Sequence, residues 1–386
     1  MASSSAVSLP TAIAEKAIGT PATDPAHMRA ALALARRGLG NSWPNPAVGC
    51  VIVKDGRVIS RGWTQPSGRP HAEQLALQRA GAAAKGATAY VTLEPCSVPG
   101  RGPACADGLI AAGIARVVAS VEDPFPRVAG TGFAKLRAAG IAVESGLCAD
   151  EASEINAGFF TRVKHGRPLV TVKLATSLDG RIATASGESR WITGPAARQR
   201  AHLLRATHDA VLVGTGTALT DDPQLTCRLP GLENRSPVRI VIDRHLRLPI
   251  SLGLVSEAGQ TPTWVATLAS ADPARQAALA KAGVKIVTVK PGAEGDIDLA
   301  DLLQRLGDEG LTRLLVEGGG RLAASLLRAN LVDRLVWMRA PLAIGGDGLP
   351  AIAALDLAAL AAAPRFTLLS SEVAGDDVIE TYRRAE

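Results

Sequence analysis

Residues 91–105 read V-T-L-E-P-C-S-V-P-G-R-G-P-A-C, an apolar strand ending at Leu93 that delivers Cys96 just past its C-terminal end and Cys105 nine positions later. That edge is where open α/β sheets hold ligands. Two cysteines at this separation, taken alone, describe buried apolar thiols as readily as metal ligands. Upstream, R69-P-H-A-E-Q-L-A-L77 puts His71 and Glu73 two apart at the opening of a helix, where a carboxylate also suits the positive end of the dipole. Together the stretches offer one histidine and two cysteines, with no evident fourth ligand nearby. Three protein ligands mark a catalytic zinc, whose fourth corner is left to solvent, whereas a structural zinc is closed by four. Solvent in that corner loses its proton near pH ~7. Residues two apart on a helix do not share a face, so Glu73 reads as a general acid/base beside the ion and not as a ligand.

Working outward, Lys54-Asp55-Gly56 between apolar runs predicts a hairpin over 47–62. The helix opening at His71 ends near Gly81. Beyond the strand at 88–93, the pattern predicts a helix at 105–112, a strand at 116–121, a helix at 133–139, a strand at 141–143 and a helix at 151–163. Strands alternating with helices imply an α/β fold with a largely parallel sheet covered on both faces. Lys164-His165-Gly166-Arg167-Pro168 closes the last helix, and Pro168 opens a strand at 169–174, so a domain boundary falls between 165 and 166. The second half repeats the alternation, with strands near 210–213, 238–242, 263–267, 285–288, 313–316 and 333–339. Its helices fall near 195–206, 273–282, 298–308 and 320–329. No short internal repeat relates the halves, so 24–165 and 166–386 are different domains.

The 386 residues are enough for two such domains, each with its own core. Aromatic residues are only 3%, which argues against a surface that stacks nucleic-acid bases. The net charge of +6 suits an anionic partner, but the basic residues form no run, so a phosphorylated small molecule fits as well as a nucleic acid. Five cysteines are an odd number in a chain that needs no staples, so free thiols and a reducing cytoplasm are expected. Residues 1–23 lack a basic stretch followed by a long apolar core and read as a flexible leader, not a secretory signal. The Ala-rich run at 351–363 contains Asp356 and lies between Pro350 and Pro364, so no membrane span is expected.

The H-x-E…P-C…C order is the pattern of zinc nucleobase deaminases, here with eight residues between the cysteines and with Gly100 and Gly102 permitting tight turns. More specifically, P44-N-P-A-V-G-C-V-I-V-K-D-G56, G68-R-P-H-A-E73, V91-T-L-E-P-C96, D123-P and V128-A-G-T-G132 resemble the deaminase half of the bifunctional riboflavin-biosynthesis deaminase-reductases. The resemblance continues through K173-L-A-T-S-L-D-G-R181, G187-E-S-R-W-I-T-G194, V213-G-T-G-T-A-L-T-D-D-P-Q-L-T-C-R228, V241-I-D243 and V316-E-G-G-G-R-L322. It runs from about Asp24 almost to the C-terminus.

The resemblance implies a cytidine-deaminase-like α/β/α domain followed by a dihydrofolate-reductase-like α/β domain, and a cytoplasmic homo-oligomer, dimer or tetramer, with no nucleic-acid or membrane partner. It implies one Zn2+ per chain on His71, Cys96 and Cys105, with Glu73 catalytic. The implied substrate is 2,5-diamino-6-(5-phosphoribosylamino)pyrimidin-4-one, whose 2-amino group is replaced by oxygen. Asn45 matches the family's pyrimidine contact, because an amide both donates and accepts at a base edge. The family often carries histidines where this chain has Thr64 and Val98, which leaves Arg101 as the local phosphate partner, its fork suiting phosphate oxygens.

In the second half, the resemblance puts Ser189, Arg205, Leu225, Arg228 and Glu317 on the substrate, with the two arginines on its phosphate. Ala175, Trp191, Thr217, Asp221, Gly319, Gly320, Arg321, Leu322, Ala323, Ala324 and Ser325 would line NADPH. Physically, E317-G-G-G-R321 follows an apolar strand and opens a helix, so bare backbone N–H groups can cradle a pyrophosphate, although it is not a G-x-G-x-x-G fingerprint. Arg244, just past the strand at 238–242, could pair with a 2′-phosphate and favour NADPH. Lys173 could polarise or protonate the sugar carbonyl oxygen as hydride arrives, the hydride chemistry being the cofactor's own. Two other classes stay open on the residues alone. A deaminase of nucleic-acid bases would lose affinity with salt and leaves the glycine-rich half without a role. A non-catalytic zinc-stabilised binding protein needs no acid/base at Glu73.

Overall fold

The structure is a computed structural model that describes residues 23–100 and 102–385. The expected leader, apart from Thr23, and the phosphate role given to Arg101 lie outside the described residues.

The first sheet is built from β1 (Gly49–Lys54), β2 (Arg57–Trp63), β3 (Thr88–Val91), β4 (Arg116–Ala119) and β5 (Ala142–Ser145), in the order β2-β1-β3-β4-β5. The hairpin β1–β2 lies antiparallel against β3, and only β3-β4-β5 run parallel, so the sheet is mixed and not largely parallel as expected. Its helices are α1 (Asp24–Ala35), α2 (Ala72–Ala80), α3 (Cys105–Ala111), α4 (Thr131–Ala138), α5 (Ala149–Ile155) and α6 (Ala157–His165). Strand alternation feeds two cores: Cys50 and Ile52 of β1 pack on one face with Ala72, Leu109 and Leu136, while Val51 and Val53 pack on the other with Met28, Leu32 and Ile155. The single helix expected at 151–163 is two. Asn156 interrupts it, its side chain accepting from the Ala47 N–H at 2.9 Å and donating to the Ala47 carbonyl at 3.1 Å.

The second sheet carries β6 (Leu169–Thr176), β8 (Ala210–Gly214), β9 (Val238–Ile242), β10 (Thr263–Leu268), β11 (Lys285–Val289), β12 (Arg313–Glu317), β13 (Arg334–Arg339), β15 (Phe366–Ala374) and β16 (Asp377–Arg384). A short pair, β7 (Arg181–Ala183) with β14 (Leu349–Pro350), stands apart. The nine strands are ordered β11-β10-β9-β8-β12-β6-β13-β16-β15. All pairings from β11 to β13 are parallel, and the β15–β16 hairpin adds antiparallel at one edge. The helices are α7 (Pro195–Ala206), α8 (Thr215–Asp221), α9 (Gly253–Ser256), α10 (Pro273–Lys281), α11 (Leu299–Asp308) and α12 (Gly320–Arg328). They cover both faces, Ala210 and Leu212 of β8 joining one core, Val211 and Val213 the other. Among the described residues no helix is long and apolar enough to cross a membrane.

His208, at the end of α7, is buried with its Nδ1 2.7 Å from the Leu204 carbonyl and its Nε2 2.9 Å from the Thr171 hydroxyl. Burial, helped by the charge of Arg313, pulls its pKa from 6.5 down to about 3. The unfolded chain therefore takes up this proton below pH 6.5 and the folded chain only near 3, so stability is lost as pH falls through that window, about 2 kcal/mol of it by pH 5. Denaturant titrations at pH 7 and pH 5 check this. The acid-induced loss is expected to shrink by that amount in His208→Gln, and equal losses in both chains would refute it.

Candidate active sites

Three elements converge on the first site. The chain leaves β3 toward Cys96, α3 begins at Cys105, and His71 caps α2. His71 Nδ1 lies 3.3 Å from Cys105 Sγ and 3.8 Å from Cys96 Sγ. The three ligand atoms lie within 4.8 Å of one another, which makes this the metal-sized cluster among the described residues. One nitrogen and two sulfurs are the donor set zinc takes. The Cys96 thiol is brought down to about 4, foremost by the hydrogen bond from Cys105, while Cys105 is pushed up by that neighbour and by burial. One proton of the pair thus leaves readily, and the second is the one a dication would displace.

Gln74 ties the ligands together, accepting from the His71 N–H at 3.1 Å and donating to the Pro103 carbonyl at 3.0 Å in the loop ahead of Cys105. Glu73, in the first turn of α2, is 3% exposed. Burial foremost, with the negative Cys96 nearby, lifts its pKa to about 7 against the pull of His71. A carboxyl poised there can both take and give a proton at neutral pH. Asn45 packs against Gly68, three residues before His71, where a Cβ would fall 1.8 Å from the Asn45 amide nitrogen. Thr64 is buried and its hydroxyl accepts from the Val48 N–H at 3.0 Å, while Val98 is 42% exposed.

Sequence reasoning missed Glu94. Its buried carboxylate accepts four backbone N–H groups, from Asp123 (3.2 Å), Gly130 (3.0 Å), Gly132 (2.8 Å) and Phe133 (3.2 Å). It thereby folds the D123-P and V128-A-G-T-G132 stretches against the residue next but one to Cys96. A carboxylate at the end of an apolar strand was the available signal, since an unpaired one is costly to bury.

The second site forms where β6, β8, β9 and β12 end. The parallel register sets Glu317 of β12 beside Lys173 of β6, Nζ 4.0 Å from Oε2. Arg205 of α7 grips Glu317 with both arms of its fork, at 2.6 and 3.0 Å, and donates to the Thr226 carbonyl at 3.1 Å. Burial alone would raise Glu317, but Arg205 and Lys173 draw it down to about 2. Burial, with Arg205 nearby, lowers Lys173 in spite of Glu317. Arg228 is exposed and its guanidinium bonds to Gln224 at 2.9 Å and Thr226 at 3.4 Å, close by in sequence, so it is more open to a phosphate than Arg205.

Gly318, at φ 122°, faces Thr217, whose hydroxyl a Cβ would meet at 2.8 Å, and a Cβ on Gly320 would meet the Pro350 carbonyl at 2.6 Å. Both glycines thus allow close protein packing, whereas at Gly319, φ 37°, the only neighbour within 4 Å of a Cβ among the described residues is the Thr217 hydroxyl at 3.9 Å, which leaves bare backbone open as a cradle for a pyrophosphate at the start of α12. Ser189 is exposed. Trp191 is 69% exposed under the Arg198 guanidinium, 4.6 Å from the ring centre, and Asp221 lies 3.9 Å from Arg190. Arg244 is exposed at the end of β9 and donates to the Gly295 carbonyl at 3.1 Å. Ala175 follows Lys173 on the same face of β6, Arg321 is exposed, and Leu322 is half-buried against the core of the second sheet.

Three expectations change. Ala323 and Ala324 are 0% and 1% exposed in the core, so they support the cradle from beneath and offer a cofactor no surface. Ser325, half-buried, accepts from Arg328. Leu225 is buried among Val213, Ala218 and Leu246, so its side chain faces the core and not a substrate.

With this geometry in hand, the relatives are informative. Residues 21–121 match the cytidine and deoxycytidylate deaminase zinc-binding region, and residues 168–379 match the RibD C-terminal domain. The chain is similar to a riboflavin biosynthesis protein RibD of Escherichia coli (45% identical over 366 residues, 92% of this chain and 98% of the relative). It is also similar to one of Aquifex aeolicus (40% over 361 residues, 94% and 98%). Among solved structures, an Acinetobacter baumannii RibD superposes with a TM-score of 0.84 at 39% identity, covering 94% of this chain and 99% of that one. A Thermotoga maritima diaminohydroxyphosphoribosylaminopyrimidine deaminase/5-amino-6-(5-phosphoribosylamino)uracil reductase gives 0.81 at 33%, with coverage of 94% and 99%. A zinc-binding deaminase unit joined to a reductase unit defines a bifunctional enzyme, hydrolase and oxidoreductase on one chain. The chain belongs to the RibD family of riboflavin biosynthesis.

Proposed function

We propose that this enzyme hydrolytically deaminates 2,5-diamino-6-(5-phosphoribosylamino)pyrimidin-4(3H)-one, then uses NADPH to reduce the ribosyl group of the resulting 5-amino-6-(5-phosphoribosylamino)uracil to ribityl. The two activities divide between residues 24–165 and 166–386, in a cytoplasmic homo-oligomer. The observation that carries the reading is a buried Glu73 set against a His71–Cys96–Cys105 cluster, on the same chain as a glycine cradle beside Lys173 and Glu317.

His71, Cys96 and Cys105 would hold zinc, which would supply the Lewis acidity that makes water a nucleophile near neutral pH. Glu73 takes the proton of the attacking water and delivers it to the departing amine, so the C2–N bond breaks, a C2–O bond forms and ammonia leaves. Asn45 reads the base edge, and Arg101 is assigned to the phosphate by its chemistry. In the second site NADPH supplies the hydride. Lys173 donates the accompanying proton to the opened sugar, its lowered pKa favouring release. Glu317 and Ser189 orient the substrate, and Arg228, backed by Arg205, holds its phosphate. Thr217, Trp191, Asp221, Ala175, the Gly319–Leu322 stretch and Ser325 would line the cofactor, with Arg244 available to its 2′-phosphate.

Incubation with the diaminopyrimidine phosphate tests the whole reading. Ammonia is expected without NADPH, and absorbance of the nicotinamide is expected to fall only once that deaminated product is present. Cofactor consumption with no ammonia would mean that Thr64 and Val98 have disabled the front half.

A further inference from the structure

Residues 39–45 precede β1, yet much of their support comes from the other sheet. The Trp43 ring packs against the core of the nine-stranded sheet. Leu39 keeps its side chain in the deaminase core, but its carbonyl accepts from the Arg235 guanidinium. Gly40, at φ 79°, lies so close to the end of α7 that a Cβ would fall 2.4 Å from the Ala206 carbonyl oxygen. A Cβ on Gly310, ahead of β12, would come within 2.9 Å of Pro44.

The opposite side of the same segment bears on the metal cluster. The Asn41 carbonyl accepts from the Ser67 N–H at 2.8 Å, and Asn45 seats on Gly68. The next residue, Arg69, lies against the inter-cysteine loop, 2.7 Å from where a Cβ on Gly100 would stand, and His71 follows two positions later. Reductase core, segment 39–45, segment 65–70 and metal ligand therefore form one packed series.

We propose that the reductase half supplies the outer wall of the deaminase substrate site, with Trp43 and Arg235 as positioning residues that hold segment 39–45, and through it Asn45 and Gly68, in register with the His71 cluster. The proposal rests on the reading of Asn45 as the base contact. It implies that deamination depends on the second domain for substrate binding.

The test uses the full chain and follows ammonia release without NADPH, zinc content, and reduction of separately supplied deaminated substrate. Arg235→Ala is expected to raise KM for deamination about fivefold, the worth of one net hydrogen bond, with kcat within about twofold. Zinc content and reduction should stay at wild-type levels, and Arg235→Lys should recover most of the KM. Trp43→Ala should raise KM further, and Trp43→Phe should not. Asn45→Ala separates the two readings. If it leaves KM unchanged while Arg235→Ala raises it, the base contact is misassigned but the wall stands through Ser67 and Gly68. Unchanged KM in both Arg235→Ala and Trp43→Ala overturns the coupling whatever Asn45 does, and a KM rise that tracks zinc loss overturns it too.

Discussion

Glu73→Gln is expected to cut ammonia release by about a thousandfold while leaving zinc content and reduction of the deaminated intermediate unchanged. The amide has the carboxyl's shape, so a side chain only 3% exposed is replaced without a cavity. It cannot cycle a proton, and that is the function assigned to a carboxyl held at about 7 by its burial. Steady-state ammonia assays on zinc-replete protein measure the effect. Release within tenfold of wild type would remove Glu73 from the chemistry and leave the proton transfer to another group.

Arg205→Ala carries the second large effect, on stability and on reduction together. Removing the guanidinium leaves the Glu317 carboxylate buried with Lys173, 4.0 Å away, as its remaining salt-bridge partner. Breaking a buried ion pair from one side costs about 3–5 kcal/mol. Glu317 should then climb from about 2 toward or above its ordinary range, and reduction should fall about a hundredfold because Lys173 loses the neighbouring cation that helps hold its pKa down. Denaturant titration and NADPH oxidation read the two effects. The double change Arg205→Leu with Glu317→Leu separates them, since an apolar pair restores stability but not reduction. Wild-type turnover in Arg205→Ala would show that the ion pair is scaffolding alone.

How far the sequence could be read follows from the range of each interaction. The metal donors and Glu73 were readable because residue type and order within 69–105 spell out the chemistry. Glu94 was quoted in the same motif without a role, because its four N–H partners lie 29 to 39 residues downstream. The mixed first sheet escaped notice for a similar reason: a hairpin announces its own turn, not which strand its outer edge will join. β15 shows almost no inside–outside alternation, being exposed along nearly its whole length, so no period marks it. In α12, Ala323, Ala324, Leu326 and Leu327 form the buried stripe of an amphipathic helix. Reading 319–325 as one cofactor-lining run overlooked that spacing. α1 was recoverable, because Asp24-Pro25 is a helix-start signal.

The account stands on a zinc held by three side chains of the first domain. X-ray absorption at the zinc edge of the purified full chain, with the metal quantified in the same sample, tests that most directly. One zinc per chain, with two sulfurs, one imidazole nitrogen and one further light atom not supplied by a side chain, is the predicted result. A sample without stoichiometric zinc, or a shell closed by a fourth protein ligand, would contradict it.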